Sequence, residues 1–358
     1  MQKLTGAGPK VHIIDSPIPV PQKGQILIKV VVAGSNPKDV KSAFFLPPSN
    51  FGDDIAGYVV SVGYGVTEFR PNDRVAAFHE MYTPHGAFAE YAIAWAYTSF
   101  RIPPRISFEE AATVPLTSMT AAVGMFSNLK LSPPWTTDED HLETCPLLIY
   151  GAGTAVGSFA VQFAIKSRIH PIICVAGQSK DHVESLIDRQ KGDVIIDYRL
   201  GPKAVIASIE NILGEKPLLH ALDAVSEHGS DIIVGAVLDA KLGKLAMTPP
   251  KDRTRIPKQS GVSFPENLAM PQLEAVPEGV EAFWTAVGSV HNGLKHFSYV
   301  FYRYIALGLE EGWLRPHPHE VVPDGLEGLE AGLTRLFNGE AHGKKFVYHI
   351  SGMKDETA

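Results

Sequence analysis

Three glycines share one turn of this chain, in the run Leu147-Leu148-Ile149-Tyr150-Gly151-Ala152-Gly153-Thr154-Ala155-Val156-Gly157. Without side chains, a backbone can come close to a bulky anion. A helix that starts at such a turn offers the anion free N–H groups and the positive end of its dipole. The chemistry implied is pyrophosphate binding, with Gly151, Gly153, Thr154, Ala155 and Val156 as candidate residues. The spacing is GxGxxxG rather than GxGxxG, so a purely structural turn is the alternative.

A second candidate group follows the next apolar run, Pro171 to Ala176, in Gly177-Gln178-Ser179-Lys180. In a dinucleotide fold the end of this strand meets the adenosine ribose, where an NAD binder carries an acid for the 2′-hydroxyl. Here a hydroxyl and a cation stand there instead, and Ser179 and Lys180 suit a 2′-phosphate. NADPH is the expected cofactor. The competing reading is that both residues cap and solvate a helix from about 180 to 190.

The elements that must hold these residues alternate. Strands are expected at 193–198, 218–225 and 243–248, and helices at 158–167, 203–213 and 230–240. Strand after helix after strand implies a parallel sheet covered on both faces. Ligands of such sheets bind at the carboxyl ends of the strands. That places Tyr198, Val225, Met247 and Thr248 on one rim with the glycine turn. Tyr198 is a candidate to stack on adenine, or is an ordinary strand-end aromatic.

The flanking sequence differs in character. Gln25 to Val32, Ile55 to Val62 and Arg74 to Phe78 are short strands among glycine and proline turns, and Lys344 to Ile350 returns to that pattern. A β-rich domain built from both ends of the chain, with the α/β domain inserted, is expected.

Composition narrows the class. The 358 residues suffice for two domains, and 45% hydrophobic with 20% charged residues fits a soluble globular protein. A net charge of −7 gives no reason to expect nucleic acid or an anionic membrane as partner. No apolar run approaches a membrane span. The two cysteines, Cys145 and Cys174, suit free thiols in a reducing, cytoplasmic compartment.

Further stretches carry a family resemblance. They are Ala33-Gly34-Ser35-Asn36-Pro37-Lys38-Asp39, Gly52-Asp53-Asp54-Ile55-Ala56-Gly57, Pro71-Asn72-Asp73-Arg74-Val75, Gly86-Ala87-Phe88-Ala89-Glu90-Tyr91, Glu109-Glu110-Ala111-Ala112-Thr113-Val114-Pro115 and Gly343-Lys344-Lys345-Phe346-Val347. In this order and spacing the chain resembles the medium-chain dehydrogenase/reductase superfamily over nearly its whole length. The resemblance implies a GroES-like β-rich catalytic domain at 1–119 and 292–358. An inserted Rossmann-type doubly wound parallel sheet domain would occupy 120–291.

Zinc-dependent members carry Cys near the position of Asn36 and Gly-His-Glu at the position of Gly52-Asp53-Asp54. Two cysteines cannot supply their four-Cys structural cluster either. No metal is expected, and His79, His85, His317 and His319 read as surface-loop residues.

Within the zinc-free branch the chain looks most like the trans-acting enoyl reductases of fungal polyketide synthases. Asn36-Pro37-Lys38-Asp39-Val40-Lys41, Pro84-His85-Gly86-Ala87-Phe88-Ala89-Glu90-Tyr91 and Pro115-Leu116-Thr117-Ser118-Met119-Thr120 carry that likeness. It implies NADPH-dependent reduction of an enoyl thioester tethered to a synthase in secondary metabolism. Lys41 and Thr120 would lie at the reacting groups, and Asn36 and Pro37 at the cofactor. Lys38 departs from the pattern, standing where Ser is usual in several relatives. A zeta-crystallin-like quinone reductase and a non-catalytic NADPH-binding relative are the alternatives. A monomer is expected, because prolines and charges after Met247 make a poor pairing edge. A homodimer through a strand nearer residue 280 is the other outcome.

Overall fold

The long β-branched run QILIKVVVAG forms strand β1 (Gln25–Gly34), almost wholly buried. Its register with β2 (Asp54–Val62) shifts twice, between Leu27 and Ile28 and between Val30 and Val32. The computed structural model describes residues 10–43, 49–136, 145–249 and 276–350, with the side chains of 41–43 outside that description. Helix α1 (Pro37–Ala43) follows β1, and β3 (Arg74–Phe78), β4 (Tyr91–Trp95) and β5 (Ser99–Arg101) follow β2. Helix α2 (Phe108–Ala111) is only one turn long, and a capping box sustains it. Ser107 Oγ accepts from the Glu110 N–H at 3.1 Å, and the Ser107 N–H donates to Glu110 Oε2 at 2.9 Å. Helix α3 (Pro115–Ala122) comes next.

The chain then builds a parallel sheet. Its strands are β6 (Leu147–Tyr150), β7 (Ile172–Ala176), β8 (Val194–Asp197), β9 (His220–Asp223), β10 (Lys244–Met247) and β11 (Glu281–Trp284). Helices α4 (Ala155–Lys166), α5 (Lys180–Glu184), α6 (Pro202–Leu213) and α7 (Ser230–Val237) alternate with them. Sheet order is β11-β10-β9-β6-β7-β8. The order reverses between β6 and β9, which is the topological switch point of a Rossmann-type sheet. Strands β6 and β7 are buried at every position, as covering by helices on both faces requires. Their side chains join Val205, Ile209, Val234 and Leu245 in one core.

Helix α5 ends at Glu184, well short of the expected 190. Asp193 takes over the following residues: its Oδ2 accepts from the Asp188 N–H at 3.0 Å, and its Oδ1 accepts from the Ile172 N–H at 2.8 Å. The proline-rich stretch expected to guard the sheet edge falls, from 250 to 275, outside the described residues, and among the described residues the strand at that edge is β11.

The last segment returns to the first sheet with α8 (Lys295–Glu311), β12 (His319–Val322), α9 (Leu329–Phe337) and β13 (Lys345–His349). That sheet runs β12-β13-β1-β2-β3-β5, with β4 also on β1. Tyr302 of α8 stacks on Phe100 and donates from its hydroxyl to the Pro115 carbonyl at 3.0 Å. By internal contacts the two units are 1–116 with 290–358, and 117–289. Among the described residues no helix is long and apolar enough to cross a membrane.

Candidate active site

In the parallel-sheet unit, the turn after β6 has the form a dinucleotide needs. Gly151 sits at φ +80°, a conformation side chains resist, and a Cβ there would lie 2.5 Å from Val225 Cγ2. A Cβ on Gly153 would lie 1.8 Å from Ser179 Oγ and 2.7 Å from Ser179 Cβ. The glycine pattern therefore has a local cause: the turns after β7 and β9 close on it. Thr154 caps α4 by accepting from the Gly157 N–H at 3.0 Å. Ala155 and Val156 open that helix, where N–H groups have no intrahelical partners. A glycine cradle at the head of a 12-residue helix fits a pyrophosphate.

Most of the expected cofactor residues gather on this rim. Ser179 lies against Gly153, and the Tyr198 ring covers Gly177, where a Cβ would meet its Cε1 at 2.3 Å. Tyr198 opens a short 3-10 turn instead of ending its strand, and stays half exposed. Lys180 is exposed at the first position of α5. Met247 is buried at the end of β10, and the Thr248 N–H donates to the Asp223 carbonyl at 2.9 Å.

Two acids on this rim were given no site role by the sequence. Asp197 pairs in register with Ala176 and so sits beside the end of β7. Hydrogen bonds from the Arg199 guanidinium hold its carboxyl down at about 2. Asp223, at the end of β9, is fully buried. It accepts from the Ser230 hydroxyl at 2.5 Å, the Ser226 N–H at 2.8 Å and the Val225 N–H at 2.9 Å. Burial pushes its carboxyl up to about 6 against those donors. It shapes the turn that carries Val225 toward Gly151. An acid closing the apolar run Leu218 to Leu222 was the available signal.

Thr120 is buried in α3, 5% exposed. It belongs to the same unit as the rim.

The other unit holds the remaining candidates at the β1–α1 junction. Asn36 is buried; its Nδ2 donates to Asp54 Oδ2 at 2.6 Å, and its Oδ1 accepts from Lys345 Nζ at 3.1 Å. Pro37 opens α1, and Lys41 lies in the same helix with its side chain outside the described residues. Lys345 Nζ also meets Asp54 Oδ2 at 2.5 Å, while Lys38 Nζ meets Asp53 Oδ2 at 2.6 Å and Asp39 Oδ1 at 3.0 Å. This cluster was not foreseen. Two ammonium groups stand among the three carboxylates.

Two histidine expectations are corrected. His79 is buried, its Nδ1 donating to the Ile93 carbonyl at 2.7 Å, and burial lowers its pKa. His317 is buried too, and its N–H donates to Thr113 Oγ1 at 3.1 Å. Among the described residues no three His, Cys, Asp or Glu side chains are grouped to hold a metal ion.

Known proteins match along nearly the whole chain. The family of the alcohol dehydrogenase GroES-like domain matches residues 22–104. Trans-enoyl reductase fsr4 of Gibberella fujikuroi is 43% identical over 330 residues, 91% of this chain and 92% of that protein. The enoyl reductase component lovC of the lovastatin nonaketide synthase, from Aspergillus terreus, is 28% identical over 94% of this chain and 92% of its own length. The solved structure of CurK enoyl reductase superposes with a TM-score of 0.70, covering 94% of each chain at 20% identity. The chain belongs to the medium-chain dehydrogenase/reductase superfamily and, within it, to the family of the fungal trans-enoyl reductases.

Proposed function

We propose that the protein is an NADPH-dependent, trans-acting enoyl reductase that saturates the α,β double bond of an enoyl thioester carried by a polyketide synthase. The observation that carries this reading is the 43% identity to a trans-enoyl reductase over 91% of the chain. The built glycine cradle supports its cofactor half. When bound, the nicotinamide supplies a hydride to the electron-poor β carbon.

The chain's own residues do the rest. Gly151, Gly153, Thr154, Ala155 and Val156 receive the pyrophosphate. Ser179 and Lys180 take the 2′-phosphate, with Tyr198 against the adenine. Arg199 pairs with Asp197 at 2.5 Å and offsets part of the charge that would oppose a phosphate at the neighbouring strand end. Val225, Met247 and Thr248 line the remainder of the cofactor rim. Asn36 and Pro37 are the cofactor candidates of the β1–α1 junction. Lys41 in one unit and Thr120 in the other are the candidates for stabilising the negative charge that develops on the thioester oxygen.

The test is turnover of a short enoyl-pantetheine thioester with NADPH, against the same thioester with NADH and against a small quinone with NADPH. The expected order is thioester with NADPH first by a wide margin. Turnover confined to the quinone would assign the protein to quinone reduction instead.

A further inference from the structure

The cofactor rim lies at the carboxyl ends of β6 and β9. The opposite ends of the same two strands border a second cavity, of about 200 Å³, within the unit 117–289. Leu147 and His220, the first residues of those strands and partners in register, both line it. A four-residue strand is about 10 Å long, so this cavity is a place apart from the glycine cradle. Drug-sized ligands occupy cavities of about 300 Å³ and more, so this one suits a smaller guest.

The lining is cationic. Lys130, Lys166 and Arg168 contribute to it, and among the described residues no Asp or Glu does. That runs against the net charge of −7 of the whole chain. Lys130 and Arg168 are exposed and make no ion pair or side-chain hydrogen bond among the described residues. Both hold the left-handed backbone that favours glycine, at φ +59°. Each stands just beyond a helix end. After α4, the Arg168 N–H donates to the Ile165 carbonyl at 3.0 Å and the Ile169 N–H to the Ala164 carbonyl at 2.9 Å. These are the paired bonds of a Schellman motif, and Arg168 stands where glycine usually does. Lys130 follows the π-helical stretch Val123–Asn128 in a similar way, with the Leu131 N–H donating to the Met125 carbonyl at 3.1 Å.

Helix dipoles explain part of this, since their negative ends attract cations. Lys166 already meets that need in the last turn of α4. Two helix ends bring about half a negative charge each, which does not cancel three cations. Two further polar atoms of the lining residues, Ser167 Oγ and His220 Nδ1, are buried with no hydrogen-bond partner among the described residues. Such atoms call for a partner.

We propose that this cavity binds the phosphate group of a small molecule. A guanidinium grips two phosphate oxygens at once, ammonium groups add point charges, and together they answer a dianion. Two positions keep a cation where glycine would be easier, which is the trade expected at a binding site.

Cys145 reports on the cavity directly. It lines it and is half-buried, whereas Cys174, the other of the two cysteines, is fully buried. Labelling of the full chain by uncharged N-ethylmaleimide should slow in inorganic phosphate relative to chloride, at fixed pH and ionic strength. A dissociation constant of about 1 mM slows it about 10-fold at about 10 mM phosphate. Phosphate seated at the glycine cradle would not shield Cys145, at the other end of β6. Glycerol 3-phosphate, run alongside, should protect at lower concentration if the natural ligand is a phosphomonoester and at higher concentration if it is free phosphate.

Arg168→Gly and Lys130→Gly each remove a charge and supply the residue the backbone favours. Each should weaken phosphate binding about 10-fold or more and erase most of the protection, with Tm unchanged or higher. Arg168→Gln and Lys130→Gln are the second pair, should glycine loosen the helix ends, and should lose protection too. Labelling as fast in phosphate as in chloride overturns the site. Protection that persists in the Arg168 and Lys130 variants, or that acetate gives equally well, overturns it too.

Discussion

Gly153→Ala tests the cofactor cradle where the structure is most explicit. The new methyl would lie 1.8 Å from Ser179 Oγ and 2.7 Å from Ser179 Cβ. Rotating the hydroxyl away relieves the first contact only. To bring the second to ordinary packing distance, Ser179 must retreat by about 0.7 Å. Overpacking of this kind costs about 1–3 kcal/mol of stability. The same retreat would carry the Ser179 hydroxyl out of reach of a 2′-phosphate, and a hydrogen bond to a charged group is worth about 1.5–3 kcal/mol. NADPH affinity should therefore drop by about 10- to 100-fold. NADH, lacking that phosphate, should lose much less. Fluorescence titration of both cofactors, with urea unfolding alongside, measures each term. The double variant Gly153→Ala/Ser179→Gly has no clash, and should bind NADPH as Ser179→Gly alone does. An equal loss for NADPH and NADH, or a double variant clearly weaker than Ser179→Gly, would refute the argument.

Lys180→Ala should weaken NADPH binding by about 1–3 kcal/mol and leave NADH nearly unchanged, read by the same titration. Elemental analysis of protein purified without added metal should find far less than one zinc ion per chain, and chelators should leave activity intact; stoichiometric zinc would contradict both. Light scattering at several micromolar concentrations should return the monomer mass. The edge strand β11 is only four residues long and opens on exposed Glu281, and short, charged edges pair poorly.

Much of this architecture was legible in the sequence, because its signals are local. The runs Leu147 to Tyr150 and Ile172 to Ala176 are short, apolar and bounded by turns, which is how doubly covered strands read. The GroES-like strands β1 to β3 stood out by β-branched content between glycine and proline. What stayed hidden depends on distant partners. Lys345 and Asp54 are 291 residues apart, and no periodicity brings them together. Lys38 read only as a departure from its relatives, because its meaning lies in its ion pair with Asp53, 15 positions on and just before β2. His79 read as a surface residue of its loop, since nothing local announces that its ring is buried with Nδ1 on the Ile93 carbonyl. The helix after Lys180 was read too long because Asp193, beyond its end, claims the Asp188 N–H and turns the chain.

Isotope tracing decides whether hydride is delivered to an enoyl thioester. The purified protein should be given a short α,β-unsaturated pantetheine thioester and NADPH deuterated at nicotinamide C4, in ordinary water, and the product read by NMR. Deuterium at the β carbon, with the α hydrogen drawn from solvent, is the predicted result. A saturated product with solvent hydrogen at both carbons would rule out hydride delivery to the β carbon, and oxidation of NADPH by quinones or aldehydes with no reduction of the thioester would rule out the enoyl substrate.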